Sequence, residues 1–488
     1  MPENIKSYWQ NYIGGRWVDG VKGGRISVEN PASGMPLAKI ARAEREDVDK
    51  AVNAARDCVQ ARTLVDMRPS ERGGLVTGIG RALADMGDEA AQVLCLENGK
   101  SISLARGEIE DAVRYFEYYG GLADKIEGRY IPLGANLVGY AAPVPYGVSA
   151  QIVPWNNPVE IAARSLSAAL AAGNAVVIKS PELTPLILCL LAEACERAGA
   201  PEGAVNVICG YGEDAGAHLA AHPDVDQVVF TGSIETGKSV MRSTCERVVP
   251  CVLELGGKSA AIVYSDADLD QLVESVRWGI FPNAGQACNG MSRLIVHRSI
   301  HDEAVDRVAD MAKGLSVGPG IEDCELTPVA SAGQLDRVEG YCLAGTGEGA
   351  TPVIGGKRLS DMAGHFMPAT VFTGVESSMR IAREEIFGPV LAVTTFEEPE
   401  QAVSYANCTK YGLAAGVFSK DVDKALWTAD RLEAGQVYVN DWYTGGVETP
   451  FGGMKESGLG REKGQEAINN YVQSKYVGIR SKSIFQRA

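Results

Sequence analysis

From Tyr140 to Gly290, short runs of β-branched and apolar residues alternate with longer Ala- and Leu-rich runs, and Gly or Pro stands at the joins. That alternation predicts βαβ units around a mostly parallel sheet. Strands are predicted at 147–153, 175–179, 204–209, 227–230 and 248–254, with helices at 159–172, 185–198 and 236–244. The earlier stretch 47–120 spaces its Ala, Val and Leu among charges as amphipathic helices do. After Asp266-Ala267-Asp268 a second alternating series begins, with strands expected at 292–297, 392–396, 415–418 and 436–440. Segments 115–146 and 469–479 fit neither series and read either as arms that pair between subunits or as a surface hairpin and tail.

Length sharpens this into two domains, because a chain of 488 residues exceeds what one hydrophobic core supports. With 45% hydrophobic and 22% charged residues, both halves can build a core. The balance of 46 Lys and Arg against 62 Asp and Glu gives a net charge of -16, the wrong sign for neutralising nucleic-acid phosphates. No run is apolar and long enough to span a membrane, and Met1-Pro2-Glu3-Asn4 lacks the pattern of a signal peptide, so a cytoplasmic protein is expected. The 11 cysteines form no CxxC pairs, which argues against a disulfide framework and against a metal site. Most of them, including Cys189, Cys195, Cys209 and Cys251, lie in apolar runs as small core hydrophobes.

Five segments carry candidate chemistry. Phe230-Thr231-Gly232-Ser233 runs from strand to turn, and Gly232 to Gly237 spells GxxxxG, a variant of the dinucleotide loop or a plain βα turn. Val176 to Glu182 delivers Lys179 and Glu182 to a strand end where ribose hydroxyls could be held, although a solvated strand end would look the same. Cys288 sits in Asn283-Ala284-Gly285-Gln286-Ala287-Cys288-Asn289-Gly290, a small, polar loop suited to a nucleophile and equally open to a structural thiol. Glu254 ends an apolar strand, where desolvation would raise its pKa towards that of a general base. Pro154-Trp155-Asn156-Asn157-Pro158 sets two carboxamides between prolines, where one could serve as an oxyanion donor.

Together and in order, PWNNP at 154–158, KSPE at 179–182, FTGS at 230–233, ELGGK at 254–258, GQAC at 285–288, EEIFGP at 384–389 and PFGGMKESGLGRE at 450–462 resemble the aldehyde dehydrogenase superfamily. The resemblance covers almost the whole chain. It implies an α/β protein with a Rossmann-like dinucleotide-binding domain at 1–122 and 146–257 and a second α/β catalytic domain at 258–457. A small oligomerisation arm would comprise 123–145 and 468–488, making a homodimer or homotetramer. It implies NAD(P)-dependent oxidation of an aldehyde to an acid through a thiohemiacetal and thioester on Cys288, with Glu254 as base and Asn156 in the oxyanion hole.

By the same resemblance Lys179 and Glu182 would hold the adenosine ribose, Ser233 the pyrophosphate, and Glu385 and Phe387 the nicotinamide ribose and ring. Ile152, Trp155, Gly212 and Leu255 would line the cofactor cleft. Glu182 favours NAD, since it would repel a 2′-phosphate, and the family's dual-specificity members keep NADP open. Glu462 matches a third carboxylate near the hydrolytic water.

Two departures bear on the substrate. Asn157 stands where an aromatic residue is common, and Arg164 and Ser165 where Trp and Lys are common. Arg164 could receive an anionic semialdehyde or aromatic aldehyde, or form an internal ion pair; no second arginine falls near Pro282 to complete a clamp. A CoA-acylating dehydrogenase and a silent binding protein of the same fold are the rival readings.

Overall fold

The computed structural model describes residues 5–480. The N-terminal segment forms five strands, β1 (Tyr8–Trp9), β2 (Asn11–Ile13), β3 (Arg16–Val18), β4 (Arg25–Asn30) and β5 (Met35–Ala41). Helices α1 (Arg45–Gln60), α2 (Pro69–Asp85), α3 (Gly87–Asn98) and α4 (Ile102–Leu122) follow, then strands β6 (Arg129–Pro132) and β7 (Leu137–Pro145). The βαβ region runs β8 (Val148–Ile152), α5 (Pro158–Ala172), β9 (Ala175–Ser180), α6 (Leu186–Arg197), β10 (Val205–Cys209), α7 (Ala217–Ala221), β11 (Gln227–Gly232), α8 (Ile234–Cys245) and β12 (Cys251–Leu255).

The five strands β8 to β12 pair in parallel in the order β12-β11-β8-β9-β10. They are covered by helices and buried on both faces, which is why their sequences are mostly apolar and do not alternate. The chain starts at β8, builds outward through β9 and β10, and returns to the other side of β8 with β11. That reversal opens a crevice at the carboxyl ends of β8 and β11, where open α/β sheets bind ligands.

The second series gives β13 (Ala260–Val263), α9 (Leu269–Ile280), β14 (Arg293–His297), β15 (Thr351–Ile354), β16 (Thr370–Thr373), β17 (Val390–Phe396), β18 (Ala414–Phe418) and β19 (Gln436–Val439). These form one sheet in the order β15-β16-β17-β14-β13-β18-β19, antiparallel only at β15. The chain then returns to the first sheet, where β20 (Gly458–Leu459) pairs with β12. Finally β21 (Val472–Arg480) lies antiparallel to β7 along its whole length, with β6 on the other side.

Several sequence expectations need correction. The strand expected from 248 begins at Cys251, because Val248 is left-handed with φ 58° and its N–H donates to Cys245 O, closing the end of α8. Asn440, at φ 55°, leaves the strand that ends at Val439. Residues 115–122 belong to α4, with Tyr115 and Tyr119 stacked one turn apart in the core, so the arm-like segment starts later. The remaining hairpin pairs with the tail of its own chain. Strands β1 to β5, β13 and β16 were not expected; the last two are four residues each, too short to show a period.

Asn174 ties these layers together. Its buried side chain accepts from Gly147 N–H (3.0 Å) and donates to Ala169 O (3.2 Å) and Tyr471 O (2.9 Å). Replacing it with Ala removes the side-chain partners of the Gly147 N–H and of Tyr471 O, while Ala169 O keeps its backbone donors. Asn174→Ala should lower unfolding stability by about 2–4 kcal/mol in a denaturant titration.

Candidate active site

After α9 the chain turns through Asn283, Ala284 and Gly285 with φ of 49°, 52° and 71°, three successive left-handed residues. A Cβ at Gly285 would lie 2.2 Å from Gly388 O, so only glycine fits there. Gln286 holds the turn: its Nε2 donates to Asn283 O (2.9 Å) and its Oε1 accepts from Ala330 N–H (2.9 Å). Strain of this kind, about 1–2 kcal/mol for each non-glycine residue, persists only where the surroundings enforce it. Its result is that Cys288 is lifted, half-buried, into a cleft of about 1240 Å³ shared with Asn156, Asn157 and Arg164. Burial pushes the Cys288 thiol up to about 12, reinforced by the nearby Glu254 and Glu385 carboxyls.

Asn156 follows β8 on the other side of the crevice, and its Nδ2 donates to Gln286 O at 3.0 Å. One amide proton is therefore fixed on the cysteine loop. The other has no partner among the described residues.

Glu254, near the end of β12, is buried, and among the described residues neither of its carboxyl oxygens has a hydrogen-bond partner. Burial raises its pKa well above the usual carboxylate range; Arg164 opposes this and Glu462 adds to it. Glu462 is fully buried and accepts from Arg164 Nε (3.0 Å), Ser165 Oγ (3.0 Å) and Tyr471 OH (2.9 Å). Arg164 is thus engaged in an internal ion pair, the second of its two expected roles.

The cofactor candidates gather on the carboxyl edge. Ile152 ends β8, and Trp155 just beyond it meets Phe387 edge-on at 5.3 Å between ring centroids. Phe387 is itself left-handed at φ 60°. Lys179 Nζ pairs with Glu182 at 2.9 Å. Ser233 caps α8, its Oγ accepting from Thr236 N–H at 3.2 Å, which leaves the helix N-terminus open to an anion. Leu255 packs against Gly237, and Gly212 opens a turn with free space where a Cβ would project. Glu385 is pushed up to about 7 by burial, accepts from Gly257 N–H (3.1 Å), and lies so close that a Cβ at Gly256 would be 2.1 Å from its Oε2. An anion-binding helix start, a paired lysine and carboxylate, and an aromatic pair across one crevice fit a dinucleotide.

Sequence inspection missed several side chains here. Buried Lys100 and Glu108 reach the Asn156 loop from α3 and α4, and buried Lys258, held down to about 7 by burial, lies near Glu385. A lone lysine after a helix and a glutamate within one gave no periodic signal. Elsewhere Asp49, His218 and His222 converge, with Nε2 of each ring 2.6 Å and 3.3 Å from Asp49 Oδ1. Because His222 Nδ1 accepts from Asp224 N–H, its Nε2 carries the proton and donates to Asp49, which leaves no lone pair there for a metal.

The family model described as the aldehyde dehydrogenase family matches residues 17–477. The mitochondrial aldehyde dehydrogenase of Leishmania tarentolae is 41% identical over 475 residues, covering 97% of this chain and 95% of its own. The chain belongs to the aldehyde dehydrogenase family. The Aspergillus niger aldehyde dehydrogenase is likewise 41% identical over 475 residues, covering 96% of this chain and 94% of its own. The NAD+ complex of the Bacillus cereus aldehyde dehydrogenase superposes with a TM-score of 0.95 at 38% identity, covering 97% of each chain. As a member, this chain is an NAD(P)-dependent aldehyde dehydrogenase, and the Bacillus cereus neighbour was solved with NAD+ bound.

A thiol raised to about 12 is almost wholly protonated at neutral pH, and its thiolate fraction grows about tenfold per pH unit. Iodoacetamide alkylation of Cys288 in the cofactor-free aldehyde dehydrogenase, followed by peptide mass spectrometry, should accelerate about tenfold for each unit between pH 7 and 9. A pH-independent rate would show that the thiolate already exists at rest.

Proposed function

We propose that this enzyme converts an aldehyde into a carboxylic acid through a thioester on Cys288, with Asn156 as the oxyanion donor and Glu254 as the base. The observation that carries this reading is the convergence of three groups: a thiol on a strained loop, an amide tied to that same loop, and a carboxyl left without a partner. Cys288 gives up its thiol proton to solvent and attacks the carbonyl carbon as the thiolate, and the free Asn156 amide proton and the Cys288 backbone N–H meet the developing oxyanion. When bound, NAD+ supplies the acceptor for the hydride that the tetrahedral adduct gives up in becoming the thioester. Glu254 then takes a proton from water, which adds to the thioester and releases the acid and the thiol. A CoA-acylating route would not need this base.

In the cofactor cleft Lys179 and Glu182 would hold the adenosine ribose, Ser233 the pyrophosphate, and Glu385 and Phe387 the nicotinamide end. Ile152, Trp155, Gly212 and Leu255 would form the walls. The Glu182 carboxylate supports a preference for NAD over NADP. With its charge balanced by Glu462, Arg164 supports an uncharged aldehyde over an anionic one. Glu462 would act with Arg164 near the hydrolytic water, and Asn157 would line the tunnel.

The reading divides the chain into a dinucleotide-binding domain (1–122 and 146–257), a catalytic domain (258–457) and an oligomerisation arm (123–145 and 468–488), of which 481–488 lie outside the described residues. Exposed Tyr130, Tyr140, Tyr476 and Ile479 on the β6-β7-β21 sheet support a homodimer or homotetramer built through it. A cytoplasmic setting is supported by the cysteines, since the described residues include all eleven and none is bonded to another.

Glu254→Gln should keep a burst of about one NADH per active site, lose steady-state turnover by at least about 100-fold, and accumulate the thioester. Cys288→Ala should abolish both phases, and added CoA should leave the acid as the product. Because only ionised Glu254 accepts a proton and its pKa is raised, wild-type hydrolysis should climb with pH through the neutral range. A steady-state rate unchanged in Glu254→Gln would remove Glu254 from the mechanism.

A further inference from the structure

We propose that Lys100, with Asn98 and Glu108, is a positioning cluster that fixes the oxyanion amide of Asn156; this rests on Asn156 being the oxyanion donor. The Asn156 backbone carbonyl accepts from three side chains, Lys100 Nζ (2.9 Å), Asn283 Nδ2 (3.1 Å) and Asn98 Nδ2 (3.3 Å). A carbonyl oxygen has two lone pairs, so three donors exceed what satisfying it requires. The preceding carbonyl, Trp155 O, is held as well, by Asn98 Nδ2 (2.8 Å) and Thr184 Oγ1 (3.1 Å).

Lys100 uses all three of its protons here. Besides Asn156 O, it donates to Asn157 Oδ1 (2.8 Å) and to Glu108 Oε2, and both charged side chains are buried. The other Glu108 oxygen accepts from the N–H groups of Val159 (3.0 Å) and Glu160 (3.2 Å) in the first turn of α5. One ion pair thereby clamps the Asn156 carbonyl and the Asn157 side chain before the helix and the two amides that begin it. Asn156 stands between these clamps with its side chain bonded to Gln286 O. Its remaining freedom is small.

Burying a lysine and a glutamate together is costly, and an apolar pair would hold the loop more cheaply. What the charged cluster adds is direction: charge-assisted hydrogen bonds fix the loop to a few tenths of an ångström, the tolerance that oxyanion stabilisation demands. Asn157 belongs to the same device. An aromatic residue there could not accept from Lys100, so the polar substitution in this chain completes the ammonium's shell.

The test is a double-mutant cycle read by the pre-steady-state rate of NADH formation at saturating NAD+, with the NAD+ dissociation constant measured beside it. Asn156→Ala should slow the burst by about 100-fold. Lys100→Met should slow it by roughly 10-fold in the wild-type background, leave the NAD+ dissociation constant unchanged, and cost less than about 2-fold more in the Asn156→Ala background. A merely structural lysine would cost the same factor in both backgrounds. That additive result, or an unaffected burst in Lys100→Met, overturns the positioning role while the oxyanion assignment stands; an unaffected burst in Asn156→Ala overturns both. Should Lys100→Met fail to fold because Glu108 is left unpaired, Lys100→Met with Glu108→Gln removes both charges, keeps an acceptor for α5, and is read by the same criteria.

Discussion

Strands buried on both faces leave little room for polar chemistry along their length, so the candidate groups that the first sheet contributes, Asn156 and Glu254 among them, gather at its carboxyl edge. Register makes that edge a site. Ile152 pairs with Lys179 and with Phe230, and Thr231 pairs with Glu254, so four parallel strands reach their polar ends at nearly the same level. The loops that follow need only a few residues to bring Trp155, Asn156 and Ser233 around one crevice, which Glu385 reaches from the second sheet. Their rigidity comes from the strands they leave.

The groups placed there are costly to hold. Glu254 lacks a partner for either oxygen, Asn283 and Ala284 are left-handed without being glycine, and Phe387 shares that conformation. Each lies beside a position with work in the proposed mechanism, and neighbouring side chains hold two of them there, Gln286 at Asn283 O and Gln334 at Phe387 O. Compensation is collective. Arg164 pairs with Glu462 and lowers the charge penalty at Glu254, and the Gln286 side chain braces the turn that Asn283 and Ala284 distort.

Much of this was legible in the chain. Apolar runs marked β8 to β11, and the small polar loop around Cys288 distinguished it from Cys189, Cys195 and Cys209, which are buried. What escaped has identifiable causes. Val248 is β-branched and left-handed, a conformation no propensity favours, so the strand was extended through it. Tyr115 and Tyr119 stack one turn apart in α4, yet among charged neighbours they resembled an exposed arm. Arg164 finds its partner 298 positions away at Glu462, and Lys100 meets Asn156 across 56. Such contacts exist only once the sheet has brought distant loops together.

The same burial that raises the pKa of Glu254 also raises that of Cys288. Both groups are pushed towards their neutral forms, and each carboxylate or thiolate charge disfavours the other. The resting pair therefore favours holding both protons and has reason to lose only one at a time. In the proposed mechanism a carboxyl with a raised pKa suits the proton transfer from water before hydrolysis. A carboxylate at its ordinary pKa would be ionised at rest and a weaker base for that step. Burial thus bears on both steps, because each group must give up its own proton before it can act.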